Sequence, residues 1–373
     1  MMNLDSKTLA EFDVVLCDED IILKGMVANQ CSIPLKDMPL LEKLASKQVK
    51  NGLASNKALT MLHRKTSKVN GMYRHGKSLF KTKSIKWFAD DQEETQQLGE
   101  QNENAARIKA DDIIKEVEKS YNADKSTHID ISVFCLATHF CIRRADEERN
   151  LEEDTLVFFK PMKLRDDVKY IIISATADEG IYKQYFGADR VVFYESKQAR
   201  YEGTLNQYYA KSMSRTCIDQ DLTIFKRIAE KTGIPLERIL TFKKYAESGL
   251  LGKVLELYFG NTEGVDYLKG LNLNVVGTPY QAEFLYKLFA FSIGLDFDED
   301  AQMKNGLPVT HNGYRFRFTT YENEALRKVH FWMIESELEQ VVGRARLLRY
   351  DCIINLFSNF PIRQAVMMAD GFI

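Results

Sequence analysis

The sequence predicts an α/β fold: parallel sheets flanked by helices, with a mainly helical stretch set into it. Three observations lead there. Short apolar runs recur at Phe12–Cys17, Thr155–Phe159, Tyr170–Ile173, Val191–Tyr194, Arg238–Phe242 and Leu273–Val276. Helical stretches such as Asp221–Thr232 and Ser248–Tyr258 lie between them, and strands alternating with helices are the pattern of a parallel sheet with crossover helices. The composition, 45% hydrophobic and 28% charged over 373 residues, is that of a globular chain long enough for two or more domains.

Taken in order, Phe12–Cys17 is a compact Val-rich run, expected as a strand buried on both faces. It ends at Asp18-Glu19-Asp20. Residues 25–150 read as polar and mainly helical. Within them, His63–Lys86 is basic, with Arg64, Lys65, Arg74, Lys77 and Lys81 among its cations, and Trp87 and Phe88 follow. A basic stretch ending in aromatics suits nucleic acid, gripping the backbone and stacking a base. A solvated helical face beside the acidic stretch Asp90–Glu118 is an equal alternative. Ile131–Ile142 reads as a buried segment, so Cys135, His139 and Cys141 are expected in the core rather than on a metal.

No two of the six cysteines have the spacing of a zinc ribbon or a redox motif. Reduced thiols and a cytoplasmic setting follow. The formal charge of −2 gives no global sign of nucleic-acid binding and does not exclude it, because basic residues can be confined to one groove. No apolar stretch approaches the ~20 residues of a membrane span, so no membrane partner is expected.

Four strings could carry chemistry. Asp18-Glu19 stands at the carboxyl end of a buried strand, where α/β sheets bind ligands. One carboxylate there suits Mg²⁺ and the other suits activation of a water; a solvated acidic turn is the plain alternative. Ser174-Ala175-Thr176 follows a strand directly, as relay hydroxyls or as ordinary loop residues. Gly264 and Asp266 precede the strand Leu273–Val276, where glycine permits close backbone approach to a ligand. The most specific string is Gln340-Val341-Val342-Gly343-Arg344-Ala345-Arg346, because arginine suits the charge on a transferring phosphoryl group.

In this order the strings resemble the motifs of superfamily 2 helicases. Asp18–Ile21 looks like motif II, Ser174–Thr176 like motif III, Arg238–Lys243 stands in the place of motif IV, Thr262–Asp266 resembles motif V and Gln340–Arg346 motif VI. The large insertion between the second and third is similar to that of DinG-like helicases. The resemblance covers the termini and most of 151–373, and it implies RecA-like sheets. Residues 1–24 and 151–189 would be the remnant of a first RecA-like domain, 25–150 an insertion, and 190–373 a complete second RecA-like domain.

The resemblance also implies ATP and Mg²⁺, and single-stranded or forked DNA as partner. Asp18 would hold Mg²⁺ and Glu19 would act as general base. Ser174 and Thr176 would couple hydrolysis to strand movement. Gly264, Asp266 and Gly343 would face the nucleotide, and Gln340 the γ-phosphate or the water. Arg344 and Arg346 are both arginine-finger candidates, since Leu347 occupies the place of the last arginine in the commoner spacing.

Such a motor needs a phosphate-binding loop upstream of motif II, yet only 17 residues precede Asp18, and none is glycine. Gly71–Ser78 matches the letters G-x-x-x-x-G-K-S, but no buried-strand pattern leads into it, as a working loop requires. The chain is therefore expected to be the C-terminal portion of a longer protein of phage or mobile-element type, or to work with a separate polypeptide that carries the missing half. Alone it should hydrolyse ATP poorly or not at all, and its first strand should keep an uncovered edge and an exposed apolar face. Two rivals are a non-catalytic nucleic-acid-binding protein derived from a helicase and an α/β regulatory or assembly protein.

Overall fold

The structure, a computed structural model, describes residues 12–18, 20–22, 31–48, 57–79, 85–89, 106–125, 128–145, 153–159, 164–165, 167–252, 257–262 and 266–369. The chain divides into two compact units. Unit 1 comprises Met1–Cys17, Ile21–Ile171 and Phe291–Asp300; unit 2 comprises Asp18–Asp20, Ile172–Ala290 and Ala301–Ile373.

Unit 1 begins with β1 (Val14–Asp18). Then come β2 (Cys31–Pro34), α1 (Met38–Gln48), α2 (Lys57–Leu79), β3 (Ile85–Ala89), α3 (Ala106–Asn122), α4 (Ile131–Leu136), β4 (His139–Arg143), β5 (Thr155–Phe159) and β6 (Lys169–Ile173). Four of these strands form an antiparallel sheet in the order β2-β5-β4-β3. Among the described residues, the stretch predicted as mainly helical thus supplies four helices and also three strands. Thr155–Phe159, expected in a parallel sheet, pairs antiparallel on both sides.

Alternation explains the core of this unit. Phe140 and Ile142 of β4, Leu156 and Phe158 of β5, and Ile33 of β2 share one face, and all are buried. Against them pack Leu41 and Ala45 of α1, Leu59, Leu62 and Val69 of α2, Val117 and Tyr121 of α3 and Phe134 of α4. The buried reading of Ile131–Ile142 holds: burial pushes the Cys135 thiol up to about 12 and the His139 ring down to about 4. No group of three His, Cys, Asp or Glu is placed to hold a metal ion among the described residues.

β1 and β6 form a separate two-stranded sheet. The buried-strand expectation fails here: Val14, Leu16, Ile171 and Ile173 are 47%, 63%, 44% and 57% exposed, and Phe12 before them is 52% exposed. The uncovered apolar face is as the sequence predicts.

Unit 2 continues with α5 (Glu179–Phe186), β7 (Thr204–Tyr208), α6 (Arg215–Asp219), α7 (Ile224–Thr232), β8 (Ile239–Leu240), α8 (Lys243–Ala246), β9 (Leu273–Val276) and α9 (Glu283–Ser292). It ends with β10 (Lys304–His311), β11 (Tyr314–Thr320), α10 (Glu324–Gly343), β12 (Ile353–Phe357) and β13 (Val366–Met368). The sheet order is β13-β7-β12-β9-β8, and every pairing is parallel. This is the predicted α/β class, a parallel sheet with flanking helices.

Helices cover both faces of this sheet, as parallel sheets require. Leu205, Leu273, Val275, Ile354 and Leu356 form one cluster with Ile334, Leu338 and Val341 of α10. Val276 and Phe357 form another with Ile224, Phe225 and Ile228 of α7. On the α7 side, Asn206, Asn355 and Asn274 stand in register on neighbouring strands. Their amides join in a row: Asn206 donates to Asn355, Asn355 to Asn274, and Asn274 to the Thr232 hydroxyl, over 2.9–3.1 Å.

Two predicted elements are different in the structure. Residues 191–200 form no strand, and Val192 and Tyr194 are exposed. Of the predicted helix Ser248–Tyr258, residues 253–256 lie outside the described residues, and the flanking residues form turns and a bridge rather than a helix. No described helix is long and apolar enough to cross a membrane.

Candidate functional site

The longest described helix of unit 2 carries Gln340 and Gly343 and leads directly into Arg344 and Arg346. Helix α10 starts at Asn323, whose side chain accepts the Leu326 N–H at 2.9 Å, with Glu324 in the first turn. Both features stabilise a helix N-terminus. Its buried residues lie on nearly all sides, so it is a core helix rather than a surface ion-pair helix. Half-buried Gln340 lies in its last turn, and Gly343 ends it. A Cβ at Gly343 would meet nothing within 4 Å, so packing inside the chain does not demand glycine there.

The chain then turns sharply. Arg344 keeps helical geometry, while Arg346 takes a φ of +60°, a region that non-glycine residues occupy at a cost. The turn is closed by Arg346 N–H to the Gly343 carbonyl at 3.1 Å and Arg349 N–H to the Arg346 carbonyl at 2.8 Å. It rests on Gly203, where a Cβ would stand 2.5 Å from the Cys352 carbonyl.

That turn carries the Arg346 guanidinium to Asp266, Nη2 to Oδ1 at 3.0 Å. The reason is topological. β9 and β12 are parallel neighbours, so the segments that precede them arrive at the same, amino-terminal end of the strands. Gly270 N–H donates to the Ala345 carbonyl at 2.9 Å and locks the two together. Arg346 holds the Asp266 carboxyl below its ordinary range, with Lys269 and Arg344 adding to the effect. Both side chains are largely exposed, so the pair orients groups more than it stabilises the fold. Leu347, in the place of an arginine in the commoner motif, is buried in the core.

At the end of β6, Thr176 N–H donates to the Ser174 hydroxyl at 3.1 Å, closing a local turn. Two contacts tie this turn and the following helix to α10. Trp332 Nε1 donates to the Thr176 carbonyl at 2.7 Å, and Lys328 pairs with Asp178 at 2.9 Å. Sequence reasoning missed Trp332, which carries no motif of its own. Asp18 is exposed at the end of β1, and Asp20 accepts the Tyr182 hydroxyl at 3.0 Å. Glu19 and Gly264 lie outside the described residues. Among the described residues, no hydrogen bond joins Asp18 or Gln340 to another predicted site residue.

The basic stretch divides. Arg64 is exposed, whereas Lys65 is buried, with its ammonium on the Cys135 and Ala137 carbonyls at 2.5 and 2.6 Å. Lys65 is therefore a donor to the end of α4, and its assignment to a nucleic-acid surface is corrected: its charge does not face solvent. The backbone of Arg74 and Lys77 is helical and that of Trp87 extended, their side chains are not described, and Lys81 lies outside the described residues. Gly71–Ser78 lies wholly within α2, not on the strand–turn–helix of a phosphate loop.

No family model matches the chain, and no curated protein matches it. A solved structure, that of S. tokodaii Xpd4, aligns over 95% of this chain and 76% of its own, with 13% identity and a TM-score of 0.40.

Proposed function

We propose that this chain is the arginine-bearing part of a superfamily 2 ATP-dependent helicase or translocase acting on single-stranded or forked DNA. The observation that carries the reading is the Arg346–Asp266 pair. It joins the two strings that resemble motifs V and VI across 80 positions of sequence. In this reading residues 1–24 and 151–189 belong to the first motor domain, 25–150 to an insertion and 190–373 to the second. The residues that would act are Asp18, Glu19, Ser174, Thr176, Gly264, Asp266, Gln340, Gly343, Arg344 and Arg346.

The donor set suits a nucleotide with Mg²⁺. The exposed Asp18 carboxylate offers the hard oxygen such a cation takes, and the bound cation would neutralise phosphate charge. Arg344 and Arg346 offer planar donors suited to phosphate. The phosphate cradle itself would come from a partner polypeptide or another part of a longer protein. The exposed apolar face of β1 and β6 supports this, because such faces mark interaction sites.

Fluorescence anisotropy with a labelled single strand at low salt, run beside an ATPase assay, tests the reading. Salt-sensitive binding with little turnover is expected. Absence of binding removes the reading in favour of the regulatory or assembly alternative. Binding that ignores nucleotide even after the partner half is supplied favours a non-catalytic binding protein. Strong DNA-stimulated turnover by the chain alone, lost in Glu19→Gln, overturns the need for a partner.

A further inference from the structure

The sequence between the turn at Asp266 and the helix α10 contains a hairpin that the proposed motor does not use. β10 and β11 pair antiparallel, with Pro308 opposite Arg317, Val309 opposite Phe316 and Thr310 opposite Arg315. The turn is Asn312-Gly313, with φ of +48° and +81°. Positive φ at both central residues is the geometry that a tight hairpin turn requires.

The two faces differ in kind. The inner face is apolar: Val309 and Phe318 are buried in the core cluster with Leu307 and Phe316 packed against it. The outer face presents Pro308, Thr310, Arg315 and Arg317, all exposed. From Lys304 to Thr320 there is no acidic residue. Lys304 is committed to Glu322. Neither arginine has a carboxylate partner among the described residues, and the one contact of Arg317 is with the Gly306 carbonyl at 3.1 Å. The two guanidinium stems lie two residues apart on one strand, about 7 Å.

The hairpin is also held firmly. Asn312 Nδ2 donates to Glu335 of α10 at 2.7 Å and to the Pro361 carbonyl at 3.1 Å, and the His311 ring meets the other Glu335 oxygen at 3.1 Å. An unpaired cation pair on an anchored ribbon costs little ordering entropy when it meets an anion. Pro308 lacks an N–H, and the register shifts between Lys304 and Leu307, so this edge is a poor template for adding a further strand. A polyanion satisfies the charge where another sheet would not.

From this we infer that Arg315 and Arg317 hold the sugar-phosphate backbone of a nucleic-acid strand on the outer face of the hairpin. The inference rests on the nucleic-acid reading above and adds a site to it. Arginine forks match phosphate oxygens two at a time, and contacts of this kind position a strand without reading its bases.

The test uses the full chain and a labelled 20-nucleotide single strand of DNA across a salt series. Arg315→Ala/Arg317→Ala should weaken binding several-fold at low salt and reduce the log–log salt slope by about 1.4, since each phosphate contact on a single strand contributes about 0.7. Arg315→Lys/Arg317→Lys should restore most of both. Lys197→Ala/Lys226→Ala, two exposed cations elsewhere in the unit, should leave the slope unchanged. If the wild type does not bind, the nucleic-acid reading falls and this site falls with it. If the wild type binds and the alanine pair matches its affinity and slope, only the hairpin site is overturned. An equal slope change in the Lys197/Lys226 variant also overturns it, because binding would then be diffuse charge.

Discussion

Two sheets in this molecule are written in nearly the same letters and have opposite fates. β12 and β9 place Ile354, Leu356, Leu273 and Val275 at 0% exposure, under helices on both faces. β1 and β6 leave Val14, Leu16, Ile171 and Ile173 between 44% and 63% exposed. Burying such a side chain stabilises by about 1.5–3 kcal/mol, so the second sheet forgoes what the first collects. An apolar strand therefore states that cover is needed. It does not state that its own chain supplies the cover.

The contrast can be broken most easily from the buried side. Phe357 is fully buried, and its ring stacks on Tyr208 at 4.6 Å. Phe357→Ala should cost unit 2 about 3–5 kcal/mol, read as a fall in the urea midpoint. A loss below about 1 kcal/mol would mean that the parallel sheet is not the stable core described.

A smaller effect should appear with pH. Glu339 is pushed up to about 7, mainly by burial and then by Glu335 one turn away. Its folded value lies above its unfolded one. The stability it confers is therefore full below the ordinary carboxylate range and is lost as pH rises through about 7. His330, pushed down to about 3 by burial, acts with the opposite sign, its contribution being lost as pH falls below about 6.5. Glu339→Gln should remove the decline between pH 5 and 7.5, on the order of 1–3 kcal/mol. An unchanged difference in urea midpoint between those pH values would assign the decline to other groups.

The smallest effect on stability belongs to the exposed sheet. Leu16→Ser should change the unfolding free energy by no more than about 0.5 kcal/mol while reducing self-association in sedimentation at high concentration. A large loss of stability would place Leu16 in a core, against its 63% exposure.

Much of the parallel sheet was legible. Leu273–Val276 is a strand, the core of Arg238–Phe242 is one, and the most specific string meets the segment before β9 at Arg346 and Asp266. The failures have physical reasons. Thr204–Tyr208 went unread because Asn206 and Gln207 look like loop residues; yet Gln207 is fully buried, its amide donating to the Ser358 and Phe360 carbonyls and accepting from Ile362 N–H. Thr155–Phe159 was read as a strand with no way to see that its partners run antiparallel, since period and hydrophobicity do not encode direction. Val191–Tyr194 has strand letters without a pairing strand among the described residues. Lys65 lies in a basic run, and only the packing of α2 against α4 reveals that its charge points inward. The hairpin carries a readable signal: Asn312-Gly313 between strand-forming residues marks a tight turn.

The asparagine row across the parallel sheet has a further consequence. It converts a sheet of interchangeable apolar strands into one with a single admissible alignment. Sliding β12 by one residue against β7 or β9 would set an amide opposite a hydrocarbon on each side, leaving donors and acceptors unmet at the buried Asn274 and Asn355. Changes at Asn206, Asn274 and Asn355 should therefore be strongly non-additive, because the first loss strands its neighbours and the later ones strand fewer. The row behaves as one unit of inheritance, to be kept whole or replaced whole by matched apolar residues.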